Sequence, residues 1–67
     1  MSVAKVIELT SSSEKSIEDA VAQGVKRADD TINNIEGVWV QDIKGVVKGG
    51  KVVEWRTNLK VTFLLKE

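Results

Sequence analysis

Sixty-seven residues with ten basic and ten acidic side chains, no cysteine and no histidine make one small domain and exclude disulfides, zinc sites and thiol or imidazole catalysis. A domain of this size buries only about 60% of its unfolded surface, so oligomerisation is the stabilising device left over. The charges sum to zero and are interspersed, which argues against nucleic acid as a partner. No run reaches the roughly 20 apolar residues of a membrane span, and MSVAKVIELT lacks the pattern of an export signal. A soluble cytoplasmic protein is expected.

Residues 3–9 read as a first strand, with Val3, Lys5, Ile7 and Leu9 on one face and Ala4, Val6 and Glu8 on the other. The polar run TSSSEKS that follows reads as a connection ending in a helix start. Ser13 and Ser16 are candidate N-caps, because a serine oxygen accepts from the free N–H groups of a first turn. Ser16 with Asp19 resembles a capping box that has aspartate in the glutamate position. Without a histidine or cysteine these serines belong to no familiar nucleophilic triad.

Ile17, Ala20, Val21, Gly24, Val25, Ala28, Ile32 and Ile35 recur at steps of three and four. That spacing predicts one apolar stripe on a helix of about five turns. Gly24 lies on the stripe, so close approach of helix to sheet is the expected reason for a residue that costs about 0.5–1 kcal/mol in a helix interior.

Residues 38–44 predict the second strand. Strict alternation puts Val38, Val40, Asp42 and Lys44 on one face and Trp39, Gln41 and Ile43 on the other. Lys48-Gly49-Gly50-Lys51 signals a hairpin turn, and it lacks the helix and the glycine pattern of a phosphate loop. Residues 52–65 alternate almost perfectly: Trp55, Thr57, Leu59, Val61, Phe63 and Leu65 against Glu54, Arg56, Asn58, Lys60 and Thr62. At about 3.3 Å per residue this third strand runs roughly 43 Å. A helix from residue 17 to 35, some 27 Å long at about 1.5 Å per residue, cannot cover it. Another subunit is the natural cover for the remainder.

The fold class is therefore α+β, in the order β-α-β-β. A helical crossover makes strands one and two parallel, and strand three folds back between them. The result is a three-stranded antiparallel-type sheet of order 1-3-2 wrapped around one helix, with the helix on the face of the odd residues of strand three. Trp55 is expected on that buried face. Trp39 either packs at a subunit interface or stacks on a flat ligand. Asp29, Asp30, Glu36 and Asp42 lack the spacing of a calcium loop and read as solvated surface.

With this order in place, the chain resembles the dodecins, small flavin-binding proteins that form hollow twelve-subunit shells. The segments that carry the resemblance are VAKVIELTSSSEKSIEDAV, VKRADDTINNIEG, IKGVVKGGKVVEW and LKVTFLLKE, which together cover almost the whole chain as a single domain, 1–67. The resemblance implies a homododecamer that stores riboflavin or FMN, with no reaction of its own. It also implies a ligand site at Gly37, Trp39, Asp42, Lys44 and Arg56. Gly37 falls where dodecins carry the tryptophan on which the flavin ring stacks, and Arg56 where they carry a glutamine that hydrogen-bonds the ring edge. Asp42 matches an acidic residue near the flavin's tail, and Lys44 the basic residue before a glycine, here Gly45. With both defining contacts changed, the alternative is a shell that is structural or holds another small ligand or an ion.

Overall fold

The computed structural model describes residues 2–65. Its elements are β1 (Val3–Ser13), α1 (Ile17–Asp29), β2 (Ile35–Lys48) and β3 (Lys51–Leu65). The sheet order is β1-β3-β2, as expected from the sequence. Both outer strands run antiparallel to β3 and hence parallel to each other.

The turn between β2 and β3 needs two residues with positive φ, and Gly49 (58°) and Gly50 (77°) supply them. A two-residue turn of this kind has the same twist as the strands it joins, which is why it closes hairpins.

Helix α1 lies over β1 and β3 and touches β2 least. Its buried face is Ala20, Gly24 and Ala28, three small residues one turn apart. Opposite them stand Leu59 and Val61, both with 0% exposure. Burying each of these two side chains is worth about 1.5–3 kcal/mol. The contact at Gly24 is close. A Cβ there would fall 2.7 Å from Leu59 Cδ1, 3.0 Å from Ser11 Cβ and 3.2 Å from Leu9 Cδ1.

The helix start follows the sequence reading, with one change of partner. Ser16 is the N-cap, and its Oγ accepts from the Asp19 N–H at 2.9 Å. The Asp19 carboxylate does not reach back to the Ser16 N–H as a capping box would. It accepts from Ser13 Oγ at 2.6 Å, and that hydroxyl in turn accepts from the Lys15 N–H at 2.9 Å. Ser13 is thus buried with its hydrogen bonds made.

Three boundaries depart from expectation. First, β1 runs on through Thr10, Ser11, Ser12 and Ser13, which pair with Asn58, Thr57, Arg56 and Trp55. Small polar residues suit this stretch because the helix passes directly over Ser11, whose carbonyl accepts from Thr57 Oγ1 at 3.1 Å. Second, the helix ends at Asp29 rather than near residue 35. Asp29 and Asp30 put negative charge at the negative end of the helix dipole, and Asn34 turns the chain at φ 65°. Ile35, which continued the apolar stripe, instead opens β2 opposite Phe63. Third, β2 is twice the expected length, and its pairing with β3 shifts register between Ile35 and Gly37, between Val40 and Asp42, and between Val46 and Val47.

The molecule measures 52 × 19 × 13 Å. The far ends of β2 and β3 project beyond the helix as a bare hairpin.

Candidate functional site

One face of the sheet has no helix on it. Cross-strand partners in an antiparallel sheet share a face, so the register assigns every residue to one side or the other. Lys60, Asn58 and Arg56 of β3 lie on the open face with Glu8, Thr10 and Ser12 of β1. From β2, Gly37 pairs with Thr62, Trp39 with Lys60, Asp42 with Asn58 and Lys44 with Arg56. All five residues selected from the sequence, Gly37, Trp39, Asp42, Lys44 and Arg56, therefore stand on this one face.

Strict alternation separates Trp39 from Asp42 and Lys44; the strand pairing instead puts them on the same face. Val40 pairs with Leu59 and Asp42 with Asn58, so Gln41 has no partner and forms a β-bulge. An extra residue in one strand reverses the facing of everything beyond it. Val38 and Val40 keep to the helix side with Val61 and Leu59, whereas Asp42 and Lys44 move to the side of Trp39. A second bulge, at Glu36, lets Ile35 face the helix side with Phe63 while Gly37 faces the open side.

Trp39 is 65% exposed. The cation over its ring is Lys60, with Nζ 5.6 Å from the ring centroid. Arg56 donates from Nε to Glu54 Oε2 at 2.6 Å, the one ion pair among the described residues. An exposed pair of this kind is worth about 0–1 kcal/mol and leaves Arg56 able to exchange partners.

Beside the tryptophan is a depression of about 190 Å³ lined by Thr10, Asp42, Lys44, Arg56 and Asn58. Its polar groups are already oriented. Thr10 Oγ1 donates to Asn58 Oδ1 at 2.8 Å, and Asn58 Nδ2 donates to Asp42 Oδ2 at 3.4 Å. The depression is smaller than the roughly 300 Å³ at which small-molecule pockets begin. A three-ring ligand needs further walls. A larger hollow, about 340 Å³, lies at the other end of the helix between residues 31–34 and 63–65. It contains none of the five residues and no charged side chain.

The family model for dodecins matches residues 3–66. The chain belongs to the dodecin family. A curated dodecin from Thermus thermophilus is 32% identical over 65 residues, covering 97% of this chain and 94% of the relative. Among solved structures, a Thermus thermophilus protein superposes with a TM-score of 0.94 at 31% identity, covering 100% of this chain and 98% of that one. The Mycobacterium tuberculosis calcium dodecin, a calcium-chelating antigen with a novel calcium-binding site, superposes with a TM-score of 0.81 at 31% identity, covering 96% and 91% of the two chains.

Within this dodecin the residues that sequence reading passed over are Thr10, Asn58 and Lys60. Asn58 and Lys60 occupy even positions, which the alternation of β3 already assigns to the polar face, whereas Thr10 falls in the stretch read as a connection. Their convergence depends on register, which no single strand reveals. Gly37 has nothing within 4 Å of where a Cβ would sit, so its position on the open face is uncrowded within the subunit.

Proposed function

We propose that this dodecin binds and stores a flavin, riboflavin or FMN, on the open face of its sheet, as a homododecamer in the cytoplasm. It is a binding protein and no reaction is assigned to it. The observation that carries the reading is the bulge at Gln41, which gathers Gly37, Trp39, Asp42, Lys44 and Arg56 onto one uncovered face beside a polar depression. A face that is too shallow in one subunit becomes a pocket when a second subunit closes it, and a flavin held there is shielded from water and light by stacking and burial.

A second reading has its own support. Gly37 offers no stacking surface, Arg56 is engaged by Glu54, and one similar dodecin binds calcium. In that reading the shell is structural or holds a ligand or ion other than flavin.

Absorbance of the purified protein and of its denatured supernatant separates the two. A yellow protein that releases near-stoichiometric flavin, or that quenches added riboflavin at micromolar concentration, supports flavin storage. A colourless protein that leaves riboflavin fluorescence unchanged sinks it and favours the second reading.

A further inference from the structure

Lys60 and Trp39 are cross-strand partners on the open face, and the lysine Nζ stands 5.6 Å over the indole. Glu8 lies opposite Lys60 on β1, yet Lys60 forms no ion pair among the described residues. The ammonium therefore has a ring beneath it, and its neighbour Glu8 stands beyond ion-pair distance. The indole, 65% exposed, has room around it, since the site of the Gly37 side chain is empty.

We propose that Lys60 sets the charge selectivity of the Trp39 platform, so that the face takes planar anions in preference to neutral planar molecules. This rests on the open face being the ligand site. A planar anion satisfies both partners at once: its ring lies on the indole and its charge meets the ammonium. A neutral ring must share the indole with Lys60, and the cation–π contact it disturbs is not replaced. A planar cation is repelled. Lys60 is thus a specificity residue, and its role is independent of which flavin or other ring is the natural ligand.

Three fluorescent probes with one ring system test this: pyrenesulfonate, pyrenemethanol and pyrenemethylamine, titrated by anisotropy into the assembled protein at low salt. The anion should bind about two- to fivefold more tightly than the neutral probe, the factor expected of an exposed charge pair, and the cation most weakly. The preference should shrink in high salt, vanish in Lys60→Gln and persist in Lys60→Arg. Trp39→Ala should weaken all three probes together. Equal binding of anion and neutral probe by the parent overturns the proposal, as does a preference that survives in Lys60→Gln. Light scattering checks assembly of each variant; if Lys60→Gln does not assemble, the parent's charge order and its salt dependence decide. Riboflavin titrated into the same samples keeps two failures apart. A parent that binds riboflavin without any charge order refutes the role of Lys60 alone. A parent that binds neither riboflavin nor any probe refutes the ligand face as well.

Discussion

Two glycines of this chain meet opposite surroundings, and substitution at each has an opposite expected result. A methyl group at position 24 would press on Leu59 Cδ1 and Ser11 Cβ, at 2.7 and 3.0 Å, beneath a core residue with 0% exposure. Overpacking of this kind costs about 1–3 kcal/mol, against the roughly 0.5–1 kcal/mol that alanine gains in a helix. Gly24→Ala should therefore lower the thermal midpoint at fixed protein concentration, by several degrees for about 1 kcal/mol; an unchanged or raised midpoint would show that the helix lifts at no cost. Position 37 is empty around its missing side chain, so a large residue there meets no clash within the subunit. Gly37→Trp supplies a stacking surface worth roughly 0.5–1.5 kcal/mol beyond its area. Arg56→Gln supplies an acceptor for the flavin imide N–H that an arginine lacks. The double variant should bind riboflavin more tightly than the parent by fluorescence quenching. A parent that already quenches as tightly as the double variant would place the pocket elsewhere. Gly24 was legible in the sequence, because its place on the apolar stripe already demanded close approach. Gly37 was legible only by resemblance, since a glycine that touches nothing leaves no physical mark on its neighbours.

At the scale of elements, β3 was read correctly from Glu54 onward because it is the central strand, and its alternation there is a direct record of helix side against open side; the unpaired Val53 breaks it before that. The outer strands were read less well. In β1 the serines looked like a loop because the demand on them is small size under the helix, and hydrophobic periodicity does not record that. In β2 the alternation is broken twice by bulges, and an unpaired residue is invisible until the partner strand is known. The misplaced helix end had a similar cause: Ile32 and Ile35 continue the spacing of three and four, but Asp29, Asp30 and the positive φ of Asn34 stop the helix first. The bulge at Gln41 is the element on which the proposed site depends. Deleting Gln41 would restore simple alternation and force a choice between two faces: either Trp39 turns toward the helix, or Asp42 and Lys44 do. Each places polar or oversized groups where Val38, Val40 or Ile43 now stand. The variant should lose ligand binding and be destabilised by several kcal/mol, on the scale of losing one or two buried aliphatic side chains. Trp39 is exposed in the parent, so a deletion variant that assembles with unchanged tryptophan emission and unchanged ligand affinity would show that the bulge is dispensable.

The whole molecule carries more apolar surface than one helix can cover. Because α1 sits over β1 and β3, Val38 and Ile43 of β2 are left on the helix side at 39% and 51% exposure. The projecting hairpin adds Val47, Val52 and Val53, also exposed, and Trp55, expected in the core, lies on the helix side but is only half-buried. Contiguous apolar surface on so small a protein marks an interface. Self-association would cover it with a second copy of a surface the chain already possesses. Assembly should then be coupled to folding. Light scattering at micromolar concentration should give about twelve times the 7.4 kDa chain mass, as the proposed homododecamer requires, and the midpoint of thermal unfolding should rise with protein concentration. Placing a charge at Val47, as in Val47→Lys, should shift the mass toward smaller species and lower that midpoint, because an unpaired ammonium buried at an interface costs several kcal/mol. The same change would be almost neutral on a free surface, where substitutions usually stay within about 0.5 kcal/mol. A monodisperse monomer or dimer from the parent, or a Val47→Lys variant that assembles and melts like it, would mean that the bare hairpin is not covered by copies of this chain.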